Sequence, residues 1–189
     1  GLAGAQGGNS NYLSAVDIGG LRLAGSAGAA TTAVFTGENS ANFQNPSLGA
    51  GTINATTIDA RGLSSGAGLW MNFAQTGFFG DTVSNTTVFG SSYKDVLASD
   101  ISGATIFGGE GGDYIWGTRG ISSFDSLDGG AGNDFFDITT SSLSQPIPPN
   151  SNAQTIIGGD GVDTLWVNGV GVFPPAQNLQ QIYGIEILN

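Results

Sequence analysis

The chain has 189 residues, the length of one domain or of one domain with a small appendage. It carries 4 basic against 15 acidic residues, a net charge of −11, and has neither Cys nor His. The charge repels phosphate and excludes nucleic acid and anionic membrane surfaces as partners, leaving a multivalent cation as the natural counterpart. The missing residue types exclude disulfides, zinc sites of the usual kind, thiol nucleophiles and His-based triads. No apolar run approaches the ~20 residues of a membrane-spanning helix, so membrane insertion is not expected.

In chain order, short alternating apolar stretches read as strands: AVDIGGLRL (15–23), TTAVFTG (31–37), TINATTIDA (52–60), LWMNF (69–73), TTVFG (86–90) and TIIGG (155–159). Gly, Asn, Ser and Asp punctuate them, and no amphipathic helical stretch of useful length appears. The expectation is an all-β chain of many short strands. Acids gather late. Residues 81–189 hold twelve acids against Lys94 and Arg119, while residues 1–80 hold Asp17, Glu38 and Asp59 against Arg22 and Arg61. Pro-containing stretches at IPPN (147–150) and FPP (173–175) read as loop stiffeners.

Three segments then align: GGEGGDYIW (108–116), GGAGNDFFD (129–137) and GGDGVDTLW (158–166). All share Gly-Gly-x-Gly-x-Asp followed by x, a large apolar residue and x. GSSYKDVLA (90–98) keeps the first Gly, the Asp and the apolar residue. This nonapeptide pattern resembles the calcium-binding repeat of the RTX (repeats-in-toxin) β-roll family. The resemblance covers about residues 83–168. It implies an all-β parallel β-roll or β-solenoid with Gly-rich calcium loops stacked along one edge.

In that family nine residues make half a coil, so loops 18 apart stack on one side. The motif starts at Gly90, Gly108, Gly129 and Gly158 are separated by 18, 21 and 29 residues. The longer gaps imply far-side insertions, within GTRGISSFDS and SSLSQPIPPNSNA. Two residues before each start sit Val88, Ile106, Leu127 and Ile156, and seven after sit Leu97, Ile115, Phe136 and Leu165. Each series is expected to form an inward column along one of two parallel sheets.

Glycines free the backbone to turn carbonyls inward, and calcium takes 6–8 oxygens. By resemblance, Ca2+ sits between successive loops. The implied carboxylates are Asp95, Asp113, Asp134 and Asp163. The loop positions around them are Gly108, Glu110, Gly112, Gly129, Ala131, Asn133, Gly158, Asp160 and Val162. In the 90/108 gap Ser91 and Tyr93 replace glycines and Lys94 adds positive charge, so the other two gaps are the fuller ones. Metal-free turns are the alternative for the loops, and plain solvation is the alternative for the Glu110 and Asp160 side chains. Asp128 and Asp137 read as surface charge, and Trp116 and Trp166 as covers of a sheet edge.

TTIDARGLSSGAGLWMNF (56–73) resembles the non-motif coils of RTX-bearing surface-layer proteins, with Arg61 where a small polar residue is usual. QQIYGIEILN (180–189) resembles the start of another such strand. The expected organisation is an N-terminal β segment at 1–50, acting as cap, arm or further coils, and an RTX-like solenoid at 51–189 with calcium repeats at about 90–166. The first residue, Gly1, reads as the mark of processing or of a fragment.

The function expected is a calcium-binding extracellular structural protein that self-assembles, as a surface-layer, sheath or filament subunit. It would be bacterial, type I secreted and not an enzyme. The expected partner is another copy, with cell-surface polysaccharide as a further candidate. The alternative is a calcium-binding module of a larger secreted enzyme or adhesin. An enzyme in its own right, such as a calcium-dependent polysaccharide lyase, would draw on Arg61 or Arg119 as base.

Overall fold

A computed structural model describes residues 15–17, 22–24, 32–42, 52–54, 56–71, 86–98, 103–117, 125–139, 154–169 and 181–189. The strands among them are β1 (Ala15–Asp17), β2 (Arg22–Ala24), β3 (Thr32–Gly37), β4 (Ser40–Asn42), β5 (Thr52–Asn54) and β6 (Thr57–Leu63). They continue with β7 (Leu69–Trp70), β8 (Thr87–Phe89), β9 (Val96–Ala98), β10 (Thr105–Glu110), β11 (Tyr114–Trp116) and β12 (Ser126–Ala131). The last are β13 (Phe135–Thr139), β14 (Thr155–Asp160), β15 (Thr164–Asn168), β16 (Ile182–Tyr183) and β17 (Ile187–Leu188).

Every described pairing is parallel. An eight-stranded sheet runs β1-β4-β7-β9-β11-β13-β15-β17, and a seven-stranded sheet runs β16-β14-β12-β10-β8-β6-β3. A two-stranded pair joins β2 to β5. From β6 onward the chain alternates between the two large sheets, one strand in each per coil. That alternation makes the fold a parallel β-solenoid. The strands β3 and β4 pair with β6 and β7, so residues 32–42 lie in the same two sheets as the later coils.

The apolar columns explain the register. Val88 pairs with Ile106, Ile106 with Leu127, and Leu127 with Ile156. Leu97 pairs with Ile115, Ile115 with Phe136, and Phe136 with Leu165. All eight are fully buried in one core between the sheets. Ile58 extends the first column by pairing with Val88 and is equally buried. A slip by one residue would turn a whole column to solvent, so this pattern fixes the register strongly.

The outward faces carry cross-strand ladders. Phe89 stacks on Phe107 with centroids 5.2 Å apart, and Tyr114 stacks on Phe135 at 4.8 Å. Such pairs each contribute ~0.2–1 kcal/mol to a sheet. Arg61 lies 4.3 Å over the Phe89 ring and pairs with Asp59 at 2.7 Å, which draws the Asp59 carboxyl below its usual value. Tyr114 donates its hydroxyl to Asp137 at 3.4 Å. Trp166 is exposed on the outer face of β15 and tilts against Phe135. Among the described residues no helix is long and apolar enough to cross a membrane. Of the insertions expected within 117–126 and 141–153, residues 118–124 and 141–153 lie outside the described residues, as do both Pro-containing loops, Arg119 and residues 1–14.

Candidate metal centre

The Gly-rich loops stack at one edge of the solenoid, where each coil passes from the seven-stranded to the eight-stranded sheet. Two glycine columns make the turn possible. Gly109, Gly130 and Gly159 hold φ of +112°, +96° and +108°. A β-carbon on any of them would collide with a main-chain carbonyl oxygen of the preceding coil: Ser91, Gly109 and Gly130 respectively. Gly132 and Gly161 repeat the arrangement against the Gly111 and Gly132 carbonyl oxygens, and Gly111, also at positive φ, lies against the Tyr93–Lys94 peptide bond. Successive loops therefore touch backbone to backbone, and only glycine fits.

The motif aspartates form a hydrogen-bonded ladder across these loops. The Asp95 N–H donates to Asp113 Oδ1, the Asp113 N–H to Asp134 Oδ1, and the Asp134 N–H to Asp163 Oδ1, each at 2.8 Å. The ladder continues beyond the motif, because the Asp163 N–H donates to Glu186 Oε2 at 2.8 Å. It starts at Leu69, whose N–H donates to Asp95 Oδ1. Thus one carboxylate oxygen of each rung locks the coil before it. Such bonds strengthen further once the accepting carboxyl is ionised.

The other oxygen sets up the candidate site. Asp113 Oδ2, Asp134 Oδ2 and Asp163 Oδ2 are buried and have no hydrogen-bond partner. A β-carbon on Gly108 would meet both Asp113 Oδ2 and the Gly129 carbonyl oxygen. On Gly129 it would meet Asp134 Oδ2 and the Gly158 carbonyl oxygen, and on Gly158, Asp163 Oδ2 and the Gly184 carbonyl oxygen. In each gap a carboxylate oxygen therefore shares one small space with a carbonyl oxygen of the next coil. Two acceptors cannot satisfy each other, and a buried carboxylate without a partner is unfavourable. Either a proton or a cation resolves this.

The titration of the ladder reflects the same strain. Burial pushes Asp113 up to about 8, with further upward pressure from the Asp95 and Asp134 charges and downward pull from the Asp95 N–H and Lys94. Burial likewise raises Asp134 to about 6 and raises Asp163 above its usual value. A cation between coils would do the opposite and hold the carboxylates ionised.

Asp95 differs. Its Oδ2 accepts from the Ser91 N–H at 2.6 Å and the Ser91 hydroxyl at 3.0 Å, and that hydroxyl also reaches Oδ1 at 3.1 Å. Both oxygens are thus occupied by protein donors, although burial still raises the carboxyl to about 6. Ser91, read in the sequence as a lost glycine, fills the gap with its own side chain.

Of the other loop positions, Gly108, Gly129 and Gly158 border the shared spaces directly. The Gly112 Cα faces the Asn133 carbonyl, and Asn133 Oδ1 accepts from the Val162 N–H at 2.9 Å. The carbonyls of Ala131 and Asp160 accept from the Gly111 and Gly132 N–H groups, tying coil to coil. Glu110, Asp160 and Val162 are exposed. Among the described residues no three acidic side chains converge on one point, so a cation here would draw most of its oxygens from the main chain. Sequence reasoning missed the role of the Ser91 side chain, and missed Gly184 and Glu186 altogether. The apolar Ile182, two residues before Gly184, is the signal that would have found the last two, since it pairs with Ile156.

Comparison with protein-family models, curated proteins and solved structures finds no match.

Proposed function

We infer that this protein is a calcium-dependent β-roll of the RTX type, acting outside the cell as a structural, self-associating subunit. The observation that carries the reading is the column of unpartnered carboxylate oxygens on Asp113, Asp134 and Asp163, each beside a glycine carbonyl of the next coil. Hard oxygen donors from main chain and carboxylate suit Ca2+, and the acidic chain supplies the charge. The carboxylates repel each other along the ladder, so binding would stabilise the folded roll over the unfolded chain. Extracellular modules work with sites of ~10⁻⁴–10⁻³ M, which suits a roll that orders after secretion.

Self-association rests on two features. Coils add strand by strand in parallel register, so one coil edge is a template for another. Phe107 and Trp166, on strands paired on both sides, are also large apolar side chains left exposed. The test is to strip the protein with a chelator, add calcium stepwise and follow particle mass by light scattering. Growth from 19.0 kDa to very large particles at millimolar calcium supports the structural subunit. A compact monomer that binds calcium throughout points instead to a module of a larger secreted enzyme or adhesin.

A further inference from the structure

The last described coil lacks the glycine motif. Its turn is three residues shorter than those of the motif coils: Gly158 and Asp163 are five apart, whereas Gly184 and Glu186 are two apart. Yet Ile156 pairs with Ile182 and Leu165 with Leu188, so both strands stay in register around the short turn. The register places Gly184 beside Gly158 and Glu186 beside Asp163. The extra methylene of Glu lets a shortened loop still bring a carboxylate to the ladder, where Oε2 accepts from the Asp163 N–H.

Three observations meet in this gap. Asp163 is fully buried and its Oδ2 has no partner. A β-carbon on Gly158 would meet both that oxygen and the Gly184 carbonyl oxygen, as in the two gaps between full motifs. Glu186 adds a second carboxylate to the same gap, its Oε2 2.8 Å from the Asp163 nitrogen. By contrast the gap between the Gly90 and Gly108 coils, which looked like the third gap in sequence, has its carboxylate occupied by Ser91.

We propose that the coil at 182–188 completes a further calcium site with Asp163 Oδ2, the Gly184 carbonyl and the Glu186 carboxylate, so that the column of sites is displaced by one coil toward the C-terminal side. This rests on the calcium reading above.

The test counts calcium bound by the chelator-stripped wild-type chain in a calorimetric titration, then repeats it with Glu186→Gln. Glutamine keeps an oxygen for the Asp163 N–H and loses only the charge. The expected result is one ion for each of the three spaces, with one of them weakened about tenfold or more in E186Q, because affinity follows ligand charge. Two ions in wild type and in E186Q alike would overturn the third site while leaving calcium between the motif loops. No binding by wild type would overturn the calcium reading and this inference together. Should E186Q fail to fold, amide NMR of the wild type decides. Calcium-dependent shifts at Gly184 and Glu186 support the site, and shifts at Gly129 and Gly158 without them overturn it.

Discussion

Replacing Asp113 by Asn separates the charge of the ladder from its shape. The amide keeps an oxygen to accept from the Asp95 N–H, now bonded at 2.8 Å, and removes a carboxylate oxygen that is buried without a partner. In the metal-free protein burial raises this carboxyl from 3.8 to about 8. Between those values the folded protein holds a proton that the unfolded chain releases, so stability falls as pH rises, by about 1.4 kcal/mol per pH unit. The contribution is fully present below the unfolded value of 3.8 and lost as pH climbs to about 8. By about pH 7 the loss is on the order of 4 kcal/mol, a large share of the ~5–15 kcal/mol that holds a domain together. Asp113→Asn carries no such proton. Urea unfolding in chelator, followed by tryptophan fluorescence, should therefore find variant and wild type similar at about pH 4. At about pH 7 the variant should be the more stable by several kcal/mol. Saturating calcium should reverse that order, because the wild-type carboxylate then has its counter-ion. A variant less stable than wild type by the same amount at both pH values in chelator would refute the idea that Oδ2 is buried uncompensated.

Gly130→Ala and Gly66→Ala test the stacking of the loops. Both positions hold positive φ, +96° and +85°, but a β-carbon on Gly130 strikes the Gly109 carbonyl while nothing lies within 4 Å of one on Gly66. The Gly66 change should cost ~1–2 kcal/mol and the Gly130 change clearly more in chemical denaturation; equal costs would contradict backbone contact between coils. Ser91→Ala removes the hydroxyl that reaches both Asp95 oxygens and should cost ~1–3 kcal/mol with or without calcium. A loss seen only in calcium would instead make Ser91 part of a metal site. Asp134→Asn should weaken calcium binding in calorimetry far more than Asp95→Asn, because Asp134 Oδ2 faces a shared space and Asp95 Oδ2 is already bonded. Equal affinities in the two variants would refute the register of the ladder.

Much of this architecture was legible in the sequence because it rests on period. Val88, Ile106, Leu127 and Ile156, with Leu97, Ile115, Phe136 and Leu165, recur at fixed offsets from the glycine motif, and burial needs nothing more than that spacing. The aspartate positions were legible for the same reason. What each oxygen does was not. That Oδ1 locks the preceding coil while Oδ2 is left for another partner depends on the offset between strands of different coils. Ser91 read as a decayed glycine, yet its N–H and hydroxyl donate to the Asp95 carboxylate, and a one-letter pattern does not record that chemistry. Glu186 was hidden because a turn shortened by three residues is offset by one methylene. At the other end Leu69 takes the rung next to Asp95 and is fully buried, so the ladder stops at an apolar residue that no motif marks. Glu110 and Asp160 fall at the ends of β10 and β14, where the side chain turns to solvent.

If calcium fills the spaces between stacked coils, the unfolding midpoint of chelator-stripped protein at about pH 7.5 depends on it, and is to be followed as calcium is raised, with magnesium at equal ionic strength as control. Stability should rise continuously with calcium, by about 2.7 kcal/mol per site at a hundred times its dissociation constant, and respond little to magnesium, which holds its waters and demands near-octahedral geometry. A midpoint that does not move with calcium, or moves equally with magnesium, would contradict it.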